Sequence, residues 1–174
     1  MKRTGNYILI CVITSLLGLI LKLELITPLD FVPIGILLFT LSIMVLIALL
    51  VLQAILAFKK VDNFWTLIIS SYSLVLSICF IGILCRYQMW KGWQFLYYSR
   101  YLFCGVFVLT FIKRKAIFNW KEVNKRILLK NIGIPLIYAL IMGGTALLLS
   151  YRQFYDIFSA RHHIETYDQF LKNR

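Results

Sequence analysis

The chain has 174 residues, 61% of them hydrophobic, with a mean hydropathy of +0.83. That length suits one domain, and the apolar share is more than a soluble core uses, which argues against a water-soluble globule and for a lipid bilayer as the surroundings. The formal charge of +12 comes from 19 Lys and Arg against 7 Asp and Glu; because the basic residues cluster between apolar segments, they are expected to orient the chain and meet anionic lipid, with no nucleic acid as partner.

Lys2 and Arg3 precede an apolar run from Tyr7 to Leu21. A cleavable signal peptide has small residues in an A-x-A-like pattern after its apolar stretch, whereas this run continues into Lys22, Leu23 and Glu24, so an uncleaved first span over 7–26 is expected. Pro28 and Pro33 disfavour one continuous helix and predict a tight hairpin into the second span. That second span, 31–58, has no Asp, Glu, Lys, Arg or His, and about 20 apolar residues are enough to cross a hydrocarbon core about 30 Å thick. Only the patch from Lys59 to Asn63 separates it from the third span, 64–85, so these two should be antiparallel neighbours.

A loop containing Arg86, Gln88 and Lys91 leads to the fourth span, 93–112, which Arg100 interrupts. In the basic stretch from Lys113 to Asn131, Ala116, Trp120, Val123 and Ile127 recur at helical spacing and predict an amphipathic helix on the cytoplasmic leaflet. The fifth span, 132–150, contains Ala139 and Gly143 at small-xxx-small spacing, and Pro135 near its start is expected to bend it. The expected fold is all-α: a polytopic integral membrane protein with a five-helix transmembrane bundle in residues 1–150, a cytoplasmic-face amphipathic helix, and an outward extramembrane amphipathic C-terminal helix in 151–174.

Charge counting supports five crossings. With the amino end inside, Lys2, Arg3, Lys59, Lys60 and the seven basic residues from Lys113 to Lys130 make 11 on one side, against 6 on the other (Arg86, Lys91, Arg152, Arg161, Lys172 and Arg174). If the fourth segment did not cross, the balance would be 8 inside to 10 outside, Arg100 now included, contrary to the positive-inside bias. Trp65, Trp90, Trp93 and Trp120 all fall at interfacial levels in the five-span arrangement, as aromatic belts require. A bacterial inner membrane is the expected location, with the amino terminus cytoplasmic and the carboxyl terminus outside.

Arg100 is the polar residue that most needs an account. Seven residues beyond Trp93 at ~1.5 Å each, it would lie about 10 Å into its segment, where an unpaired charge costs at least ~2.5 to 3.5 kcal/mol. Three readings stand: a buried ion pair with Glu24 or Asp30, aided by stacking on Tyr97; a side chain that snorkels to the headgroups; or an anchor for an anionic lipid or substrate.

In the third span Thr66, Ser70, Ser73 and Ser77 recur at spacings of four, three and four, which puts them on one face. A helix-packing seam is favoured over a water-lined pathway, because no acidic residue lies in the three middle spans and relays usually use intramembrane carboxylates. In the tail, Ile157, Ala160, Ile164, Tyr167 and Leu171 make a short heptad-like stripe, too short to stand alone, and so a candidate surface for the bundle or another chain.

Cys11, Cys79, Cys85 and Cys104 include no C-x-x-C pair, so neither a disulfide framework nor a zinc site is expected. His162 and His163 are adjacent and project in different directions on a helix, a poor start for a metal site. Neither G-x-S-x-G, H-E-x-x-H nor a Walker-type loop occurs, and no paired repeat suggests a transporter. The expected function is a non-catalytic membrane subunit or anchor of a larger envelope assembly, without cofactor, whose partners are other membrane or envelope proteins or further copies of itself. The rival expectation is a small membrane transporter or lipid-handling protein that recognises an anionic group.

Overall fold

A computed structural model describes residues 2–23, 32–58, 64–112, 129–158 and 172. The helices are α1 (Lys2–Lys22), α2 (Val32–Phe58), α3 (Phe64–Tyr87), α4 (Gln94–Ile112), a π-helical turn (Leu129–Gly133) that runs into α5 (Ile134–Leu148), and α6 (Tyr151–Phe158). The described residues are all-helical apart from short connections. Five helices, counting the π turn with α5, are long and apolar enough to cross a bilayer.

Several helix boundaries depart from expectation. Helix α1 starts at Lys2 and stops at Lys22, and α3 runs through Arg86 and Tyr87 rather than ending at Cys85. Helix α5 stops at Leu148, where Leu149 turns to extended backbone. Pro135 lies near the start of the fifth span, in the first turn of α5, and because it cannot donate to a carbonyl one turn back, the regular helix is interrupted there and the turn before it has π geometry.

Side-chain pairs fix the packing. Helices α1 and α2 run antiparallel, with Ser42 Oγ bonded to Thr14 Oγ1 at 2.9 Å and two glycines at the closest approach. A Cβ on Gly18 would stand 2.4 Å from the Phe39 nitrogen, and one on Gly35 would stand 2.5 Å from the Lys22 nitrogen, so only glycine permits this backbone contact. Helices α2 and α3 are antiparallel through Ser70 to Ala54 and Gln88 to Thr40. Helix α5 runs parallel to α3, with Phe80 against Tyr138 and Tyr87 against Thr145, and parallel to α1, with Ser15 bonded to Tyr138.

The result is a four-helix core of α1, α2, α3 and α5, with α3 the most enclosed. Its middle is apolar: Phe39, Leu46, Leu50, Leu76, Phe80 and Ile83 have no exposed surface. Helix α4 lies outside this core. It touches α3 closely where a Cβ on Gly82 would stand 2.4 Å from the Leu96 nitrogen, and it buries a narrow stripe led by Leu96 and Ser99. Large apolar side chains cover the outward faces, among them Ile13, Leu37, Leu41, Phe107, Phe111 and Leu140. Outward faces this apolar are larger than the patches that water-soluble monomers ordinarily expose.

For orientation, the end of the core that holds the start of α1 is the near end, and the end that holds Lys22 and Tyr87 is the far end.

Candidate functional site

Polar chemistry concentrates at the far end. Lys22 closes α1 and is only 4% exposed. Its Nζ donates to the Tyr87 carbonyl and lies 3.5 Å from Gln88 Oε1. Gln88 Nε2 donates in turn to Thr40 Oγ1 at 2.6 Å, so α1, α2 and the end of α3 share one network. Arg86, 6% exposed, aims Nη2 at the Leu149 carbonyl at 3.5 Å and lays its guanidinium over the rings of Tyr151 (4.4 Å), Phe154 (4.8 Å) and Trp93 (5.4 Å). Each cation therefore meets the carbonyl end of a helix other than its own, where backbone acceptors are left over and the helix dipole is negative.

Tyr87 ties this end together. Its hydroxyl is 2.6 Å from Thr145 Oγ1 and donates to the Met142 carbonyl at 3.3 Å. The ring meets Phe154 and Phe158 edge-on, with centroids 4.9 Å apart in each case. Helix α6 starts on a reciprocal cap in which the Ser150 nitrogen donates to Gln153 Oε1 and the Gln153 nitrogen to Ser150 Oγ. It then buries Phe154 and Tyr155 on the bundle. The structure thus places Ile157 of the expected tail stripe on a helix that packs against the far end, while Ala160, Ile164, Tyr167 and Leu171 lie outside the described residues.

Arg100 is on the exposed side of α4. Its Nη2 donates to the Tyr101 hydroxyl at 2.8 Å, and its guanidinium lies 4.8 Å from the Tyr101 ring and 5.3 Å from the Tyr97 ring. Glu24 and Asp30, the carboxylates weighed as its partners, lie outside the described residues, as does the greater part of the basic amphipathic stretch, residues 113–128.

The serine face of α3 is brought inside the bundle. Ser70, Ser73 and Ser77 are buried and Thr66 is half-buried. Ser70 Oγ donates across the helix contact to the Ala54 carbonyl at 3.2 Å, and Ser77 Oγ donates back to the Ser73 carbonyl at 2.8 Å. Ser73 Oγ has no hydrogen-bond partner among the described residues.

Three residues that matter in the structure were not singled out in the sequence. Lys22 falls inside the first span as drawn, and Arg86 falls in the loop after the third. The available signal for both was a cation directly after an apolar run, where helix C-termini attract positive charge. Gln53 is the third. It is the only amide in a run otherwise free of strongly polar residues, and it is fully packed inside the core.

These groups hold helices together and offer cationic or neutral hydrogen-bond donors. Among the described residues no three of His, Cys, Asp and Glu come together, and the cysteines are unpaired. The chain matches no protein-family profile, no curated protein and no solved structure.

Proposed function

We propose that this is a polytopic protein of a bacterial inner membrane, with five crossings, its amino end cytoplasmic and its carboxyl end outside, serving as a non-catalytic subunit or anchor of a larger envelope assembly. The observation that carries the reading is the position of α4, outside a four-helix core that is already closed. Its outward side presents Arg100, Tyr101, Cys104 and Gly105, all exposed. Arg100 lies six residues into the helix, ~9 Å at 1.5 Å per residue, where a charge facing lipid is disfavoured.

A partner helix with an acidic side chain offsets that cost. Gly105, with no atom within 4 Å of where a Cβ would stand, leaves room for a second backbone to come close. A second copy of this chain or an unrelated membrane protein fits the same description. A specific observation also favours the lipid-handling alternative: the Arg100 guanidinium, framed by Tyr97 and Tyr101, faces the surroundings and is equally suited to an anionic headgroup.

The test is gentle solubilisation followed by native mass measurement of the wild type and Arg100→Leu, with bound phospholipid assayed in both. Loss of a co-purifying polypeptide in the variant supports the subunit reading. Loss of tightly bound anionic lipid alone supports the alternative, and a bare 20.4 kDa chain in both samples overturns both. Cutting the chain after Tyr151 is a poorer test, because it removes Phe154, which is fully buried against Tyr87.

A further inference from the structure

At the near end one level of the core holds a buried polar side chain from each of α2, α3 and the π turn. Ser70 meets Ala54 and Gln88 meets Thr40, an antiparallel register that sets Ser73 of α3 level with Gln53 of α2. Phe80 meets Tyr138 and Tyr87 meets Thr145, and the same offset sets Ser73 level with Asn131 of the π turn. A Cβ on Gly5 would stand 2.5 Å from Asn131 Oδ1, so α1 comes to this level with a bare backbone position that makes room for the amide. Gln53, Ser73 and Asn131 are 2%, 0% and 1% exposed.

Hydrogen bonding at this level is incomplete. Neither Nε2 nor Oε1 of Gln53, nor Oγ of Ser73, has a partner among the described residues. Together they offer two amide donors, an amide acceptor and a hydroxyl that does both. Each such group left unmet in a low-dielectric interior costs about 1 to 3 kcal/mol, and native proteins commonly meet such groups with buried water that makes two to four bonds.

We propose that Gln53 and Ser73, with Asn131 beside them, form an internal site that holds water between α2, α3 and the π turn. Its place is about five residues, ~7.5 Å, from the near end of α2. On the other side Leu50 and Leu76, both fully buried, separate it from the far end, so the site is a closed cup rather than part of a passage across the bundle. The ligand is neutral: Gln53, Ser73 and Asn131 carry no charge and offer both donors and acceptors, while Lys130, next to Asn131 in the π turn, is on the exposed side. Asn131 belongs to the π turn ahead of Pro135 and is buried there. The site stands independently of any partner on α4.

The experiment uses the full chain in lipid bilayers and reads magnetisation transfer from water to labelled side chains by solid-state NMR. Transfer to the Gln53 side-chain amide is expected to build up several-fold faster than transfer to the Leu46 methyls, which are equally buried. Ser73→Val should slow the Gln53 build-up, and a thermal-stability cycle of Gln53→Leu and Ser73→Val should be non-additive. A Gln53 amide as dry as Leu46 in the wild type overturns the proposal by itself, whether or not the variants fold. Coupling without water transfer overturns it as well, since that combination means a direct Gln53 to Ser73 bond.

Discussion

Lys22, the last residue of α1, donates its ammonium to the carbonyl of Tyr87, the last residue of α3. Two helices that are not consecutive in the chain are thereby finished by one contact, and the acceptor is one of the carbonyls that a helix end leaves unbonded. Removing the donor strands a buried carbonyl and half of the Gln88 side chain's bonding. Lys22→Met should therefore lower stability by about 1 to 3 kcal/mol, and Lys22→Arg should recover part of it. Thermal unfolding in one fixed detergent checks this, and an unchanged midpoint in Lys22→Met would mean the cap is dispensable.

Glycine substitutions separate the core from the outlying helix. Gly18→Ala and Gly35→Ala each drive a methyl into the backbone of the opposing helix, and moving packed helices apart costs roughly 1 to 3 kcal/mol. Gly105→Ala meets open space and should leave the stability of the isolated chain unchanged or slightly raised. The same Gly105→Ala should weaken retention of a co-purifying partner if α4 is the docking face. Unfolding curves and pull-down yields from the same preparations give both readouts, and an effect of Gly105→Ala on stability alone would point away from docking.

The Tyr87 hydroxyl links α3 to α5 through Thr145 and Met142. Tyr87→Phe keeps the ring contacts with Phe154 and Phe158 and deletes only that link, so a loss of about 0.5 to 1.5 kcal/mol is expected. Adding Thr145→Val should cost less in the Tyr87→Phe background than in the wild type. Strictly additive losses would show that the two hydroxyls do not act as a pair.

Cysteine accessibility maps the outward side of α4 without new mutations. Cys104 is exposed while Cys11 and Cys79 are buried, so a lipid-soluble maleimide should label Cys104 of the purified chain ahead of the other two. If a partner docks on that side, the same labelling should slow in native membranes. Equal labelling rates in membranes and after purification would leave α4 bare in both.

Much of this fold was legible because long apolar runs leave a coarse mark on sequence. A run like 31–58, with no ionisable side chain, is long enough for a membrane-crossing helix, and a five-residue connection favours antiparallel neighbours. The inward face of α3 was legible too, since Ser70, Ser73 and Ser77 keep helical spacing and all three are buried. What the sequence did not disclose is which helix stays outside. Helix α4 is long and apolar enough to pass for a core helix, and only its Arg100 hinted at an unusual position; the choice is made by three-dimensional closure of α1, α2, α3 and α5. Helix ends were blurred for a related reason. Lys22 and Arg86 look like interface residues on hydropathy, whereas each is drawn inward by a carbonyl end supplied from far along the chain. Gln53 escaped notice because a single amide does not disturb an apolar run, and its meaning depends on the level it shares with Ser73.

The central claim is that five helices cross a bilayer with the amino end cytoplasmic and the carboxyl end outside. Two reporters fused separately after Arg174, one active only in the cytoplasm and one only outside, test it most directly. The account predicts activity from the outside reporter and silence from the cytoplasmic one. The reverse result would contradict it, and would place the buried far-end cations Lys22 and Arg86 on the cytoplasmic side.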